Sequence, residues 1–124
     1  MNYNFNNETP IYIQIVDLII KDICNGNLKS GEKILSVREY ALLYKVNPNT
    51  ISKALNILEE DKLIYTERTN GKYVTEDISL IQSYRDKIFK KKIKDFLNDL
   101  KVMGYTEREI IEKIMESKNE SSRI

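Results

Sequence analysis

The chain has 124 residues, 41% apolar and 31% charged, which suits one folded domain, or a small domain with an appendage, and not a disordered chain. The formal net charge is only +1, histidine is absent, and Cys24 is the sole cysteine. Intrachain disulfides and cysteine-based zinc sites are thereby excluded, and the commonest metal ligand and general base are missing, so no metal, cofactor or catalysis is expected.

No run of about 18 apolar residues occurs, so no membrane span is expected. The opening Met-Asn-Tyr-Asn-Phe-Asn-Asn-Glu has no basic segment followed by an apolar one, so it does not read as a signal peptide, and a cytoplasmic location is expected. Residues 1–9 are polar and aperiodic and read as a flexible arm. Pro10 suits a helix start, and Ile13, Val16, Ile19, Ile20 and Ile23 recur at helical spacing as far as Cys24. Asn25-Gly-Asn27 ends that helix, and Lys29-Ser-Gly-Glu32 reads as a turn.

Ser36-Val-Arg-Glu39 has capping-box spacing and opens a short second helix with Val37, Tyr40, Ala41 and Tyr44 on its apolar side. Asn47 followed by Pro48 marks a third start, with Ile51, Ala54, Leu55 and Leu58 as the buried stripe. Only Lys45 and Val46 separate the second helix from this cap. Two short helices joined so tightly form an angled pair, a helix-turn-helix over residues 36–58. Leu63-Ile-Tyr-Thr66 and Lys72-Tyr-Val-Thr75 are β-forming, with Asn70-Gly71 as the turn signal between them. The expected class is therefore mainly α with a small β-hairpin: a winged helix-turn-helix over residues 10–75. Residues 76–118 read as two further helices. The first carries Ile81, Tyr84, Ile88, Phe89, Phe96, Leu97, Leu100 and Met103 and stops at Gly104; the second starts with the capping box Thr106-Glu-Arg-Glu109. Residues 119–124 read as a frayed tail.

A helix that reads DNA needs short polar groups and cations at its N-terminal end, where side chains reach base edges in the major groove. Asn47, Asn49, Thr50, Ser52 and Lys53 meet that requirement. Asparagine can make two hydrogen bonds to adenine, and threonine and serine can bind phosphates or bases. Arg38 on the second helix is the candidate for the groove edge. Each has a plainer reading: Asn47 as a cap, Thr50 as a solvated first-turn residue, Lys45 and Lys53 as ordinary surface lysines. Tyr40 and Tyr44 read as packing residues. Charge is distributed unevenly. Lys33, Arg38, Lys45 and Lys53 stand against Glu39 alone over residues 33–58, whereas residues 1–75 balance nine basic and nine acidic side chains. That balance keeps a second class open, a winged helix that binds another protein and no DNA.

Pro10-Ile-Tyr-Ile-Gln-Ile-Val16, Gly31-Glu-Lys-Ile-Leu-Ser-Val-Arg-Glu39, Val46-Asn-Pro-Asn-Thr-Ile-Ser-Lys-Ala-Leu55, Leu58-Glu-Glu-Asp-Lys-Leu-Ile64 and Asn70-Gly-Lys-Tyr-Val74 follow one another in an order that resembles the GntR family of bacterial regulators. The resemblance implies a transcription regulator, typically a repressor, that binds palindromic double-stranded DNA operators as a homodimer. It implies DNA contacts by Arg38, Asn47, Asn49, Thr50, Ser52 and Gly71 at the wing tip, with the wing's basic character reduced to Arg68 and Lys72. Two positions depart from the family pattern: Leu35 stands where proline is usual, and Thr69 where the wing usually has another glycine. About 50 residues follow the wing, which resembles the short YtrA-like subfamily, where this region dimerises. Ile88, Phe89, Phe96, Leu97 and Leu100 are the expected dimerisation residues, because one short helix cannot bury so broad an apolar side. A small-molecule effector is left open, with no residues assigned to it.

Overall fold

The computed structural model describes residues 3–122. Seven elements follow in order: α1 (Ile11–Cys24), α2 (Val37–Tyr44), α3 (Pro48–Glu60), β1 (Ile64–Glu67), β2 (Gly71–Val74), α4 (Ile78–Val102) and α5 (Glu107–Ser122). They form two compact units that divide within α4, between Ser83 and Tyr84.

In the first unit the apolar stripes converge. Ile15 and Ile19 of α1, Ile51, Leu55 and Leu58 of α3, and Leu63, Ile64 and Val74 of the hairpin are almost wholly buried. Each such side chain is worth about 1.5–3 kcal/mol when removed from water. Helix α3 packs against α1, α2 and β1, so its buried face is fixed on three sides and its opposite face is left to solvent. The strands pair antiparallel in the register Ile64↔Val74, Tyr65↔Tyr73, Thr66↔Lys72, Glu67↔Gly71. The expected hairpin is present with shifted bounds. Asn70 closes the loop by donating its N–H to the Glu67 carbonyl at 3.3 Å, and Gly71 follows at φ +106°, so Asn-Gly ends the loop and begins β2. The turn expected at residues 29–32 leads directly into strand-like pairing. Gly31 and Ile34 donate to the Val74 and Lys72 carbonyls, Val74 donates to Glu32, and Lys33 bridges Tyr73, so residues 31–34 cover the free edge of β2.

Three details of the chain's ends and joints go beyond the sequence pattern. The part of the N-terminal arm that is described packs instead of hanging free. The rings of Tyr3 and Phe5 stand edge-on to Tyr44, with centroids 4.7 and 6.3 Å away, and the Gln14 side chain both donates to and accepts from the Asn6 backbone. Helix α4 starts at Ile78, inside the 76–118 region expected to hold two helices, and Asp77 caps it by accepting from the Leu80 N–H. Helix α5 runs on to Ser122, past the point where fraying was expected, since Glu and Lys sustain helix and no Gly or Pro interrupts it. Residues 123–124 of that tail lie outside the described residues.

Tyr40 and Tyr44, one helical turn apart on α2, stack at 5.6 Å and are 4% and 5% exposed. Burial pushes the Tyr40 phenol up from 10.0 to about 12 and moves Tyr44 further in the same direction. Raised phenols stabilise the fold fully below pH 10, and that contribution is lost as the pH climbs through about 12. Alkaline titration followed by tyrosinate absorbance and circular dichroism should show helix loss coinciding with ionisation of these two rings. Tyr40→Phe should move the loss to higher pH. Ionisation of all eight tyrosines near pH 10 with the helices intact would contradict this account.

Candidate nucleic-acid interface

Helix α2 begins with a complete capping box. The Glu39 N–H donates to Ser36 Oγ at 3.1 Å, and the Ser36 N–H donates to Glu39 Oε1 at 3.0 Å. The hydrogen bond from the Ser36 backbone, ahead of that from its side chain, holds the Glu39 carboxyl below its usual range. Arg38 is exposed in this fixed first turn. Lys45 ends α2 in the left-handed region at φ 57°, and its N–H and that of Val46 both reach the Ala41 carbonyl. The chain thus reverses in two residues and enters α3 at Asn47.

Asn47 is the cap expected of it: its Oδ1 accepts from the Asn49 N–H at 2.8 Å. Its carbonyl accepts from the N–H groups of Thr50 and Ile51, and Pro48 has none to offer. Every first-turn donor of α3 is therefore occupied internally. A phosphate or base at this end must be met by side chains, not by the bare helix terminus. Asn49, Lys53 and Asn56 form an exposed stripe along the helix, while Thr50 and Ser52 flank it half-buried. Lys53 is less free than a surface lysine, since its Nζ lies 4.2 Å from the centre of the Tyr12 ring on α1.

At the wing, Gly71 needs a conformation that L side chains rarely adopt. A Cβ there would also stand 3.2 Å from Lys33 Cε and 3.8 Å from Lys33 Nζ. Lys33, Leu35, Ser36, Asn70 and Gly71 share the lining of a groove of about 280 Å³, which brings the wing tip beside the start of α2. Lys72 is engaged across the fold: its Nζ is 3.1 Å from Glu59 Oε2 on α3. Among the described residues no cluster of three His, Cys, Asp or Glu could hold a metal, and no helix is long and apolar enough to cross a membrane.

The structure thus places Arg38, Asn47, Asn49, Thr50, Ser52, Lys53 and Gly71 on two capped helices and the wing of one unit. Lys33, Asn56 and Glu59 were not among the contacts expected from the sequence, although Lys33 counts in its basic segment and Asn56 falls on the polar side of the third helix. Asn56 was legible, lying seven residues beyond Asn49 and so on the same face; Lys33 and Glu59 depend on pairing across the chain.

Residues 11–74 match the family model described as bacterial regulatory proteins, gntR family. The chain belongs to the gntR family. The HTH-type transcriptional repressor YtrA of Bacillus subtilis is 46% identical over 70 residues, covering 56% of this chain and 53% of that protein. A GntR family transcriptional regulator from Listeria monocytogenes has a similar solved structure, with a TM-score of 0.86 and 39% identity over 90% of this chain and 98% of that one. The DNA-binding domain of AraR, solved in complex with the operator ORR3, matches with a TM-score of 0.52 and 26% identity over 60% of this chain and 93% of that one. The chain is a bacterial-type transcription regulator with a winged helix-turn-helix, and YtrA from Sulfolobus acidocaldarius, a GntR-family transcription factor, has a similar solved structure with a TM-score of 0.57 and 28% identity over 97% of this chain and 97% of that one.

Proposed function

We propose that this gntR-family chain represses transcription by binding a palindromic operator as a homodimer, with α3 in the major groove and the wing at the adjacent minor groove. The observation that carries the reading is the solvent face of α3. Asn49, Lys53 and Asn56 line it, the Asn47 cap fixes its start, and Arg38 stands on the neighbouring capped helix. Partner-binding helices present apolar anchors, and this face has none. The operator complex of the AraR DNA-binding domain supports the same use of the fold.

The second unit supports dimerisation. Among its described residues from Tyr84 to Glu120, Ile110 alone is buried. Phe89, Ile93, Phe96, Val102, Met103, Ile111, Ile114 and Met115 are each at least 44% exposed, and Ile88, Leu97 and Leu100 are half-buried. So much apolar surface on two helices is uncommon for a monomer, and a second copy of the chain is the partner proposed for it. Two recognition helices would then address half-sites about 34 Å apart.

Selecting bound duplexes from a random pool tests the whole reading. The expected product is an inverted repeat with half-sites about one helical turn apart, bound with steep salt dependence. Recovery of no enriched sequence would reject it.

A further inference from the structure

Two lysines stand at the wing, and their surroundings differ. Lys72 lies opposite Thr66 in the hairpin and reaches back to α3. Its Nζ donates to Glu59 Oε2 at 3.1 Å and to Thr66 Oγ1 at 2.8 Å, while the Thr66 hydroxyl donates to Glu59 Oε1. Both ends of the ion pair are shielded, with side chains 25% and 36% exposed. This three-way cluster ties the last turn of α3 to both strands of the wing. Lys33 is different. It is exposed, and none of the four ion pairs among the described residues includes it. The nearby Glu39 carboxylate senses its charge, but that group is bonded to Ser36. The Lys33 ammonium lies against the Cα side of Gly71, at the wing tip.

We infer that Glu59 withholds Lys72 from DNA and that Lys33 is a cation free to meet a phosphate at the wing, beside Arg68 of the wing loop, which is likewise exposed and in none of the four ion pairs, an inference that rests on the operator-binding reading above. Moving Lys72 to a phosphate would strip Glu59 of its charge partner and leave its negative charge, still bonded to the Thr66 hydroxyl, uncompensated near the DNA backbone, where like charges repel. Lys33 can reach a phosphate without breaking any ion pair. Glu59 is thus a positioning residue that removes one sequence-independent contact per protomer, and so favours operator over unrelated DNA. The Glu59 carboxyl is held below its usual range, by the Thr66 hydroxyl first and Lys72 second, in keeping with an intact cluster.

Each neutralised phosphate adds about 0.9 to the salt slope, roughly a threefold to fourfold change in affinity between 50 and 200 mM salt. Full-length variants should be titrated over that range with the selected operator and with an unrelated duplex. Lys33→Ala is expected to lower the slope by about 0.9 per protomer, and Lys72→Ala to leave it unchanged. Glu59→Gln is expected to steepen the slope by a similar amount and to tighten unrelated duplex most, and adding Lys72→Ala should cancel that gain. Urea midpoints check that each variant is folded. A slope lowered by Lys72→Ala, or unmoved by Glu59→Gln, overturns the inference. Without DNA, the Glu59 carboxyl ¹³C titration should shift upward in Lys72→Ala. If that shift appears but the wild type binds no duplex, the DNA reading fails and the inference falls with it, although the cluster is real. If the wild type binds and no shift appears, the inference alone fails.

Discussion

Replacing Arg38 with alanine is expected to weaken operator binding by about 1–3 kcal/mol per half-site, roughly fivefold to 150-fold, with little change in fold stability. The two halves of that expectation have different sources. Arg38 is exposed and makes none of the capping bonds of α2, so its loss leaves Ser36 and Glu39 holding the helix start. Surface changes of that kind shift stability by about 0.5 kcal/mol or less. The binding loss follows from a guanidinium fork held in a rigid first turn, able to reach a phosphate or pair with guanine. Arg38→Lys separates the two: a point charge recovers most of a phosphate contact and little of a bidentate base pair. Fluorescence anisotropy on the selected operator measures both variants. If Arg38→Ala binds as tightly as wild type, Arg38 has no part in the interface.

The second large effect concerns the C-terminal helices. Phe89 is 67% exposed and Phe96 is 44% exposed, and they lie seven residues apart on α4. Placing glutamate at both is expected to convert the proposed dimer to monomer. Losing one buried phenylalanine costs about 1.5–3 kcal/mol, and a twofold interface loses it from both copies. Even one such change should weaken the dimer by about 3–6 kcal/mol, or roughly 10²- to 10⁴-fold. Sedimentation velocity should show the shift in mass, and operator affinity should fall while thermal melting of the winged unit, which holds nearly all the buried residues, stays close to wild type. A double variant that remains dimeric at micromolar concentration would place the interface elsewhere.

What the sequence made legible was local. Ser36 with Glu39, Asn47 with Pro48, and Thr106 with Glu109 each announce a helix start, because the capping partners sit within three residues of each other. The buried face of α3 was readable from spacing, and its exposed face from what remained. Less visible were features that pair distant residues. The arm packs because Tyr44 offers Tyr3 and Phe5 a ring to stand against, 41 and 39 residues along the chain. The edge pairing of residues 31–34 with β2 joins segments some 40 residues apart, so a turn was all that could be read there. Lys72 looked like a wing cation because basic wing residues are read by type; its engagement by Glu59 emerges only once the hairpin register sets Thr66 and Lys72 side by side. Dimerisation was inferred from too much apolar surface for one short partner, and the exposure along α4 and α5 argues in the same direction.

The occupied first turn of α3 has a consequence for how such a regulator can change its target. Asn47 takes up the N–H groups of Asn49, Thr50 and Ile51, so no main-chain donor there is committed to a nucleotide. The scaffold and the reading surface are therefore separable. On the proposed reading, exchanging Asn49 or Asn56 would alter which bases are preferred and leave the helix start, its cap and its packing on α1 as they are. A lineage carrying this fold could be retargeted to a new promoter one exposed side chain at a time, with each intermediate still folded.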